Sequence, residues 1–179
     1  GLLFYTRGTN QDIAPTERMR ISHDGVVRIQ KTTTNANLTL SRNESVPTDD
    51  TETGVIDFAN NTAHTVNSRI MGKTSGTGNV GGQIVVETRD ESDSVLAERL
   101  RLNSSGHVVP GSDATQDLGS ISKRWANIYS ADLQLSNKGS ENEVDGSWGS
   151  YTIQEGESDL FLINRRNGKK YKFNLTEVS

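Results

Sequence analysis

Five cations crowd one short stretch near the end of this 179-residue chain: Arg165, Arg166, Lys169, Lys170 and Lys172 flank the dipeptide Asn167-Gly168. Guanidinium and ammonium groups gathered around one turn attract phosphate or uronate groups. Trp148, Tyr151 and Tyr171 lie in the same segment and offer flat apolar faces on which a sugar ring can stack. The competing reading is that Lys and Arg at strand edges keep those edges soluble.

Other chemistry is harder to place. Gly76-Thr77-Gly78-Asn79-Val80-Gly81 matches the glycine spacing of a dinucleotide loop, but the β-branched run Gln83 to Thr88 follows it where that loop must open a helix. Gly72-Lys73-Thr74 is similar to the end of a phosphate-binding loop whose first glycine is here Asn67. His23, His64 and His107 fall in separate turn or loop contexts without metal-ligand spacing, so no metal site is expected within one chain. The acidic run Asp49-Asp50-Thr51-Glu52 lacks the spacing and glycine of a calcium loop and reads as a solvated loop. Glu141, Glu143, Asp145, Glu155, Glu157 and Asp159 cluster in sequence but sit in turn-like segments, and no serine has a recognisable base. The sequence therefore points to no catalytic residue, no cofactor and no enzyme.

Composition bounds what can position these groups. Ser, Thr, Asn and Gly make up 69 of the residues and the hydrophobic fraction is 31%, which suits short strands joined by many turns better than helices. With 19 basic against 23 acidic residues the chain lacks the basic footprint of a nucleic-acid binder. There is no cysteine, hence no disulfide framework. No apolar stretch approaches the roughly 18 to 20 residues of a membrane span, and no signal-peptide pattern opens the sequence, so membrane insertion is not expected.

The chain also repeats itself. Glu17-Arg18-Met19-Arg20-Ile21-Ser22-His23-Asp24-Gly25-Val26-Val27 returns 81 residues later as Glu98-Arg99-Leu100-Arg101-Leu102-Asn103-Ser104-Ser105-Gly106-His107-Val108. Leu2 to Arg7 aligns with Ile84 to Arg89 once one loop residue is dropped. Each copy alternates with period two, then turns at Asp24-Gly25 or Ser105-Gly106 into a partner strand. Residues 1–29 thus read as the end of one β repeat unit and 30–110 as a second, with further strands at 37–40, 55–58 and 68–71. In 111–135, a connector, Ser120 or Ser122 is placed to cap a short helical turn that gathers Trp125, Ile128 and Tyr129 on one face, before a strand at 132–135. Residues 136–147 read as a linker or loop, and 148–179 as a C-terminal β-hairpin module of at least three strands. Taking Asn167-Gly168 as a two-residue turn pairs Arg166 with Lys169, Asn164 with Tyr171, Leu162 with Phe173 and Leu160 with Leu175, which leaves one face continuously apolar.

Three of these elements together resemble bacteriophage tail fibres. Glu17 to Ile21 with Asp24 to Val27, and its second copy, resemble the repeated "ERMRI…GNV" units of such fibres. Asp117-Leu118-Gly119-Ser120 followed by Arg124-Trp125-Ala126-Asn127-Ile128-Tyr129 is similar to the "DLGSSSxRWxxIY" element near their ends, and Tyr151 to Gly156 through Asn167 to Phe173 is similar to the ends of structural proteins from marine and cyanobacterial phages. The resemblance touches about two thirds of the chain. It implies a mainly β, elongated homotrimeric fibre of short antiparallel strands, located in the virion, with other tail proteins at its N-terminal end and a bacterial surface glycan as ligand. It also leaves room for a purely structural virion appendage and, more remotely, for a polysaccharide depolymerase subunit.

Overall fold

Runs of alternating apolar and polar residues, each closed by a Gly- or Asn-bearing turn, fold throughout as antiparallel strands. The computed structural model describes residues 2–6, 16–29, 36–43, 47–60, 63–77, 81–92 and 94–178, in two units, Gly1–Asp117 and Leu118–Ser179. Among the described residues there is no helix.

In the first unit β1 (Leu2–Thr6), β2 (Thr16–Ile21) and β3 (Val27–Ile29) form a sheet in that order. A five-stranded meander follows: β4 (Glu52–Asn60), β5 (Thr65–Ser75), β6 (Gly81–Arg89), β7 (Leu96–Leu102) and β8 (Val108–Pro110). The repeat read from the sequence is repeated in the ladders. Phe4 pairs with Met19 and Tyr5 with Glu17, as Val86 pairs with Leu100 and Glu87 with Glu98, so a bulge skips Arg18 in one copy and Arg99 in the other. The following turn is also shared. Gly25 N donates to Ser22 O at 3.1 Å and Gly106 N to Asn103 O at 2.9 Å, with both glycines at positive φ, 84° and 82°. This is the three-residue hairpin loop in which a left-handed residue forms the bulge.

Burial in the five-stranded sheet runs against hydropathy. Ile56, Ile70, Val86, Leu100 and Pro110 face one another across all five strands, flanked by Gly54, Gly72, Ile84, Leu102 and Val108. Yet Ile56, Ile70, Ile84 and Leu100 remain 46, 42, 49 and 45% exposed. On the other face Met71 and Val85 are fully buried, at 1 and 0%, beneath charged side chains. Arg101 donates to Glu98 through two nitrogens at 2.6 and 2.8 Å, to Asp50 at 2.7 Å and to Gln83 Oε1 at 2.8 Å. Lys73 reaches Asp50 at 3.1 Å, and Arg69 lies 2.8 Å from Asp57 and 4.0 Å from Glu87. The Arg101 side of this strand is therefore the covered one, because the 47–51 segment folds over it, whereas Arg99 at the bulge donates to Thr88 Oγ1 at 3.1 Å.

Asp49, Asp50 and Glu52 are exposed, as a solvated acidic loop requires, but the segment is also tied to the sheet. Thr74, 4% exposed, donates its hydroxyl to Thr48 O at 2.6 Å and accepts from Thr51 N at 2.9 Å. Asp49 accepts from Gly76 N at 2.7 Å, and Glu52 already opens β4. Arg101, and then Lys73, hold the Asp50 carboxyl below the usual carboxylate range against the opposing pull of burial. The Asp49 and Asp50 carboxylates thus accept from protein donors while remaining exposed.

Two expectations of secondary structure need correction. Residues 37–40 form no strand: Leu40 lies against Gly54, where an added Cβ would meet the Leu40 Cβ at 2.7 Å. The helical turn over 120–129 is absent. Ser120 N and Lys123 O bond at 2.8 Å, Lys123 N returns to Ser120 O at 3.2 Å, and Gly119 at φ 95° starts the bend, a local closure that outcompetes an isolated helical nucleus. Trp125, Ile128 and Tyr129 share no buried face, and Tyr129 is 95% exposed. In the glycine-rich 76–81 stretch, residues 78–80 lie outside those described, and β6 follows, as the β-branched run implies, where a dinucleotide loop requires a helix.

The second unit holds a four-stranded sheet in the order β12 (Lys170–Lys172), β11 (Leu160–Asn164), β10 (Ser150–Glu155), β9 (Asp132–Ser136). Residues 136–147 are part of the hairpin loop joining β9 to β10, closed by Gly149 N on Asn137 Oδ1 at 2.6 Å and by Asn142, which bonds Asp145 and Ser147 O at 2.6 Å each.

Candidate functional site

The basic turn is built by Asn164. β11 ends there rather than at Arg166, and Asn164 N donates to Lys169 O while Gly168 N donates to Asn164 O, both at 2.9 Å. The loop is thus four residues, 165–168, with Gly168 at φ 74°. Asn164, 8% exposed, accepts from Arg166 N at 2.9 Å through Oδ1 and donates from Nδ2 to the Tyr151 hydroxyl at 3.0 Å. The expected two-residue turn is therefore corrected: Leu162 pairs with Tyr171 and Phe161 with Lys172, a shift of two residues. Side chains alternate with period two, so this shift keeps each residue on its expected face. Leu133, Ile153, Leu162 and Tyr171 do form an apolar row across all four strands. β12 stops at Lys172, short of the Leu175 that a two-residue turn pairs with Leu160.

The candidate residues divide into three groups. Arg165 and Arg166 belong to the loop, and Lys169 closes it opposite Asn164. Arg165 Nε donates to Thr152 Oγ1 at 2.7 Å, and the hydroxyl of fully buried Thr152 donates in turn to Gln134 Oε1 at 2.7 Å. The Arg166 guanidinium lies 4.0 Å from the centroid of the Trp148 ring, and its Nη1 donates to Trp148 O at 2.6 Å. Trp148 is thus stacked by a cation on one side, where sequence reasoning had offered it as a sugar platform.

Tyr151 and Tyr171 form the second group. With Leu135 and Leu162 they line a shallow concavity of 410 Å³ on the apolar face. Lys170 and Lys172 form the third, on the opposite face beside Ile163 and Phe161. Lys172 is paired to Asp159 at 2.7 Å, whereas among the described residues no carboxylate pairs with exposed Lys169 or Lys170. Sequence reasoning found the cations and missed their supports, Asn164, Thr152 and Gln134. Of these, Asn164 had a signal: an Asn three residues before Asn-Gly can cap the turn itself.

The carboxylate cluster converges on no shared pocket among these contacts. Asp145 is held below its usual range by Ser147 and then Asn142, the direction opposite to that required of a general acid. Among the described residues no group of three or more His, Asp or Glu side chains is arranged to hold a metal ion. No protein-family model matches the chain, and no curated protein matches it.

Proposed function

We propose that this chain is a segment of a homotrimeric phage-type tail fibre and that its C-terminal sheet carries attachment to an anionic bacterial surface glycan. One observation carries the reading. Ile56, Ile70, Ile84 and Leu100 stand 46, 42, 49 and 45% exposed beside one another on one face of the five-stranded sheet. A contiguous exposed apolar patch of this kind marks an interaction surface. Interchain packing would cover it, and trimeric fibres of the kind this sequence resembles supply such packing.

Attachment rests on Lys169 and Lys170, which stand exposed without acidic partners among the described residues. Three copies on one fibre multiply weak contacts into avidity. The test is adsorption of the Lys169→Glu/Lys170→Glu variant to host cells. Loss of adsorption with an unchanged circular dichroism spectrum supports attachment; unchanged adsorption overturns it. The alternative, a purely structural virion appendage, is favoured by the engagement of Arg165 and Arg166 within the sheet. It predicts that the same variant adsorbs no differently.

A further inference from the structure

The exposed apolar face of the five-stranded sheet is also present in the first sheet, and this repetition restricts what can cover it. Phe4, Met19 and Ile29 face one another across β1, β2 and β3 at the positions held by Val86, Leu100 and Pro110 in the second repeat. Ile21 and Val27 match Leu102 and Val108. Phe4 is 47% exposed and Val27 55%, so the row is open in both copies.

None of the residues that form these rows is charged, whereas the opposite face of the five-stranded sheet carries Asp57, Arg69, Glu87, Glu98 and Arg101. An exposed patch of this kind marks an interaction surface. A partner with one apolar patch covers one sheet and leaves the other open. A partner that covers both must present the same face at the same 81-residue spacing, and the chain itself does so. Rows without charge also meet their own copies without like-charge repulsion.

We infer that this face is the interface between copies of the chain, packed repeat against equivalent repeat in register. The inference rests on the homo-oligomeric reading above and adds the surface and the alignment. Ile70 sits in this row on β5, flanked by Ile56 and Val86, and is 42% exposed. Covering the row removes apolar area from water in every repeat, so the assembly gains stability with each repeat added.

The absence of cysteine from the sequence gives the test a clean background. Ile70→Cys, and Asp57→Cys on the opposite face, are introduced singly into the full chain and oxidised. Chain-to-chain disulfides at position 70 with none at position 57 are expected. Alignment is read by mixing Ile21→Cys chains with Leu102→Cys chains: links between like positions are expected, and links between unlike positions overturn the in-register packing. Ile70→Asp is expected to convert the oligomer to 19.6 kDa monomers. Should that variant fail to fold, maleimide labelling of Ile70→Cys in the assembled protein decides. Slow labelling supports the interface, and labelling as fast as in the unfolded chain overturns it. A trimeric mass with no link at position 70 overturns this face while leaving the oligomeric reading intact; a monomeric mass overturns both.

Discussion

Arg101 and Asp50, 51 residues apart, meet at 2.7 Å across the edge of the five-stranded sheet, and this contact decides which side of the sheet is covered. Asp50 stands at positive φ, 61°, so the backbone of the 47–51 segment is bent to bring the carboxylate over β5 and β7. Met71 and Val85 are buried on the face that results.

The pH dependence of this contact has a defined sign. Arg101 lowers the Asp50 pKa in the folded state, so its stabilisation is complete above the unfolded value of about 3.9 and is lost as pH falls through the lower folded value. Urea midpoints measured between pH 6 and pH 2 (roughly the span of an Asp titration) will fall at the acid end, and Asp50→Asn will flatten that slope. Because Asp50 is 46% exposed, the loss at neutral pH is expected to be only about 1 kcal/mol.

Gly106 isolates the conformational demand of the repeated turn. Its φ is 82° and no atom lies within 4 Å of the position a Cβ would occupy, so replacement meets strain without a clash. Gly106→Ala is expected to cost about 1 to 2 kcal/mol in chemical denaturation. Gly25→Ala should cost the same, since the two turns share their hydrogen bonds.

Gly111 behaves differently. It follows β8 and donates to Arg99 O, the bulged residue, at 3.1 Å. A Cβ there would overlap the Glu98 carbonyl, so even alanine must displace backbone. Gly111→Ala is expected to destabilise by about 1 to 3 kcal/mol, with raised amide exchange at Arg99 and Leu100 as its signature.

Asn164 governs the basic loop. Asn164→Ala leaves the Arg166 amide without its side-chain acceptor and removes a donor to Tyr151, at a cost of about 1 to 3 kcal/mol. Arg166 then loosens from Trp148, which tryptophan emission will register as a shift relative to the parent protein.

Much of the fold was legible because local signals agreed with it. Period-two alternation placed β2, β7 and β10, and the repeat located both Gly turns, whereas the matching bulges at Arg18 and Arg99 emerge only from the ladders. The face of each residue around Asn167-Gly168 was also readable, since a shift of two residues preserves it. The pairing itself was not, because Asn164 captures the turn through side-chain bonds that compete with the two-residue geometry. Nor did hydropathy show that Arg101 would lie on the covered side and Leu100 on the open one. That outcome depends on Asp50, distant in sequence. At the candidate site the cations were visible, while the stacking of Arg166 on Trp148 required the loop to be longer than Asn-Gly alone implies.

The central claim is that copies of this chain complete one another. Light scattering on the purified chain tests it most directly. A mass three times the 19.6 kDa protomer is predicted, with resistance to unheated SDS, and a well-folded monomer of 19.6 kDa would contradict the account.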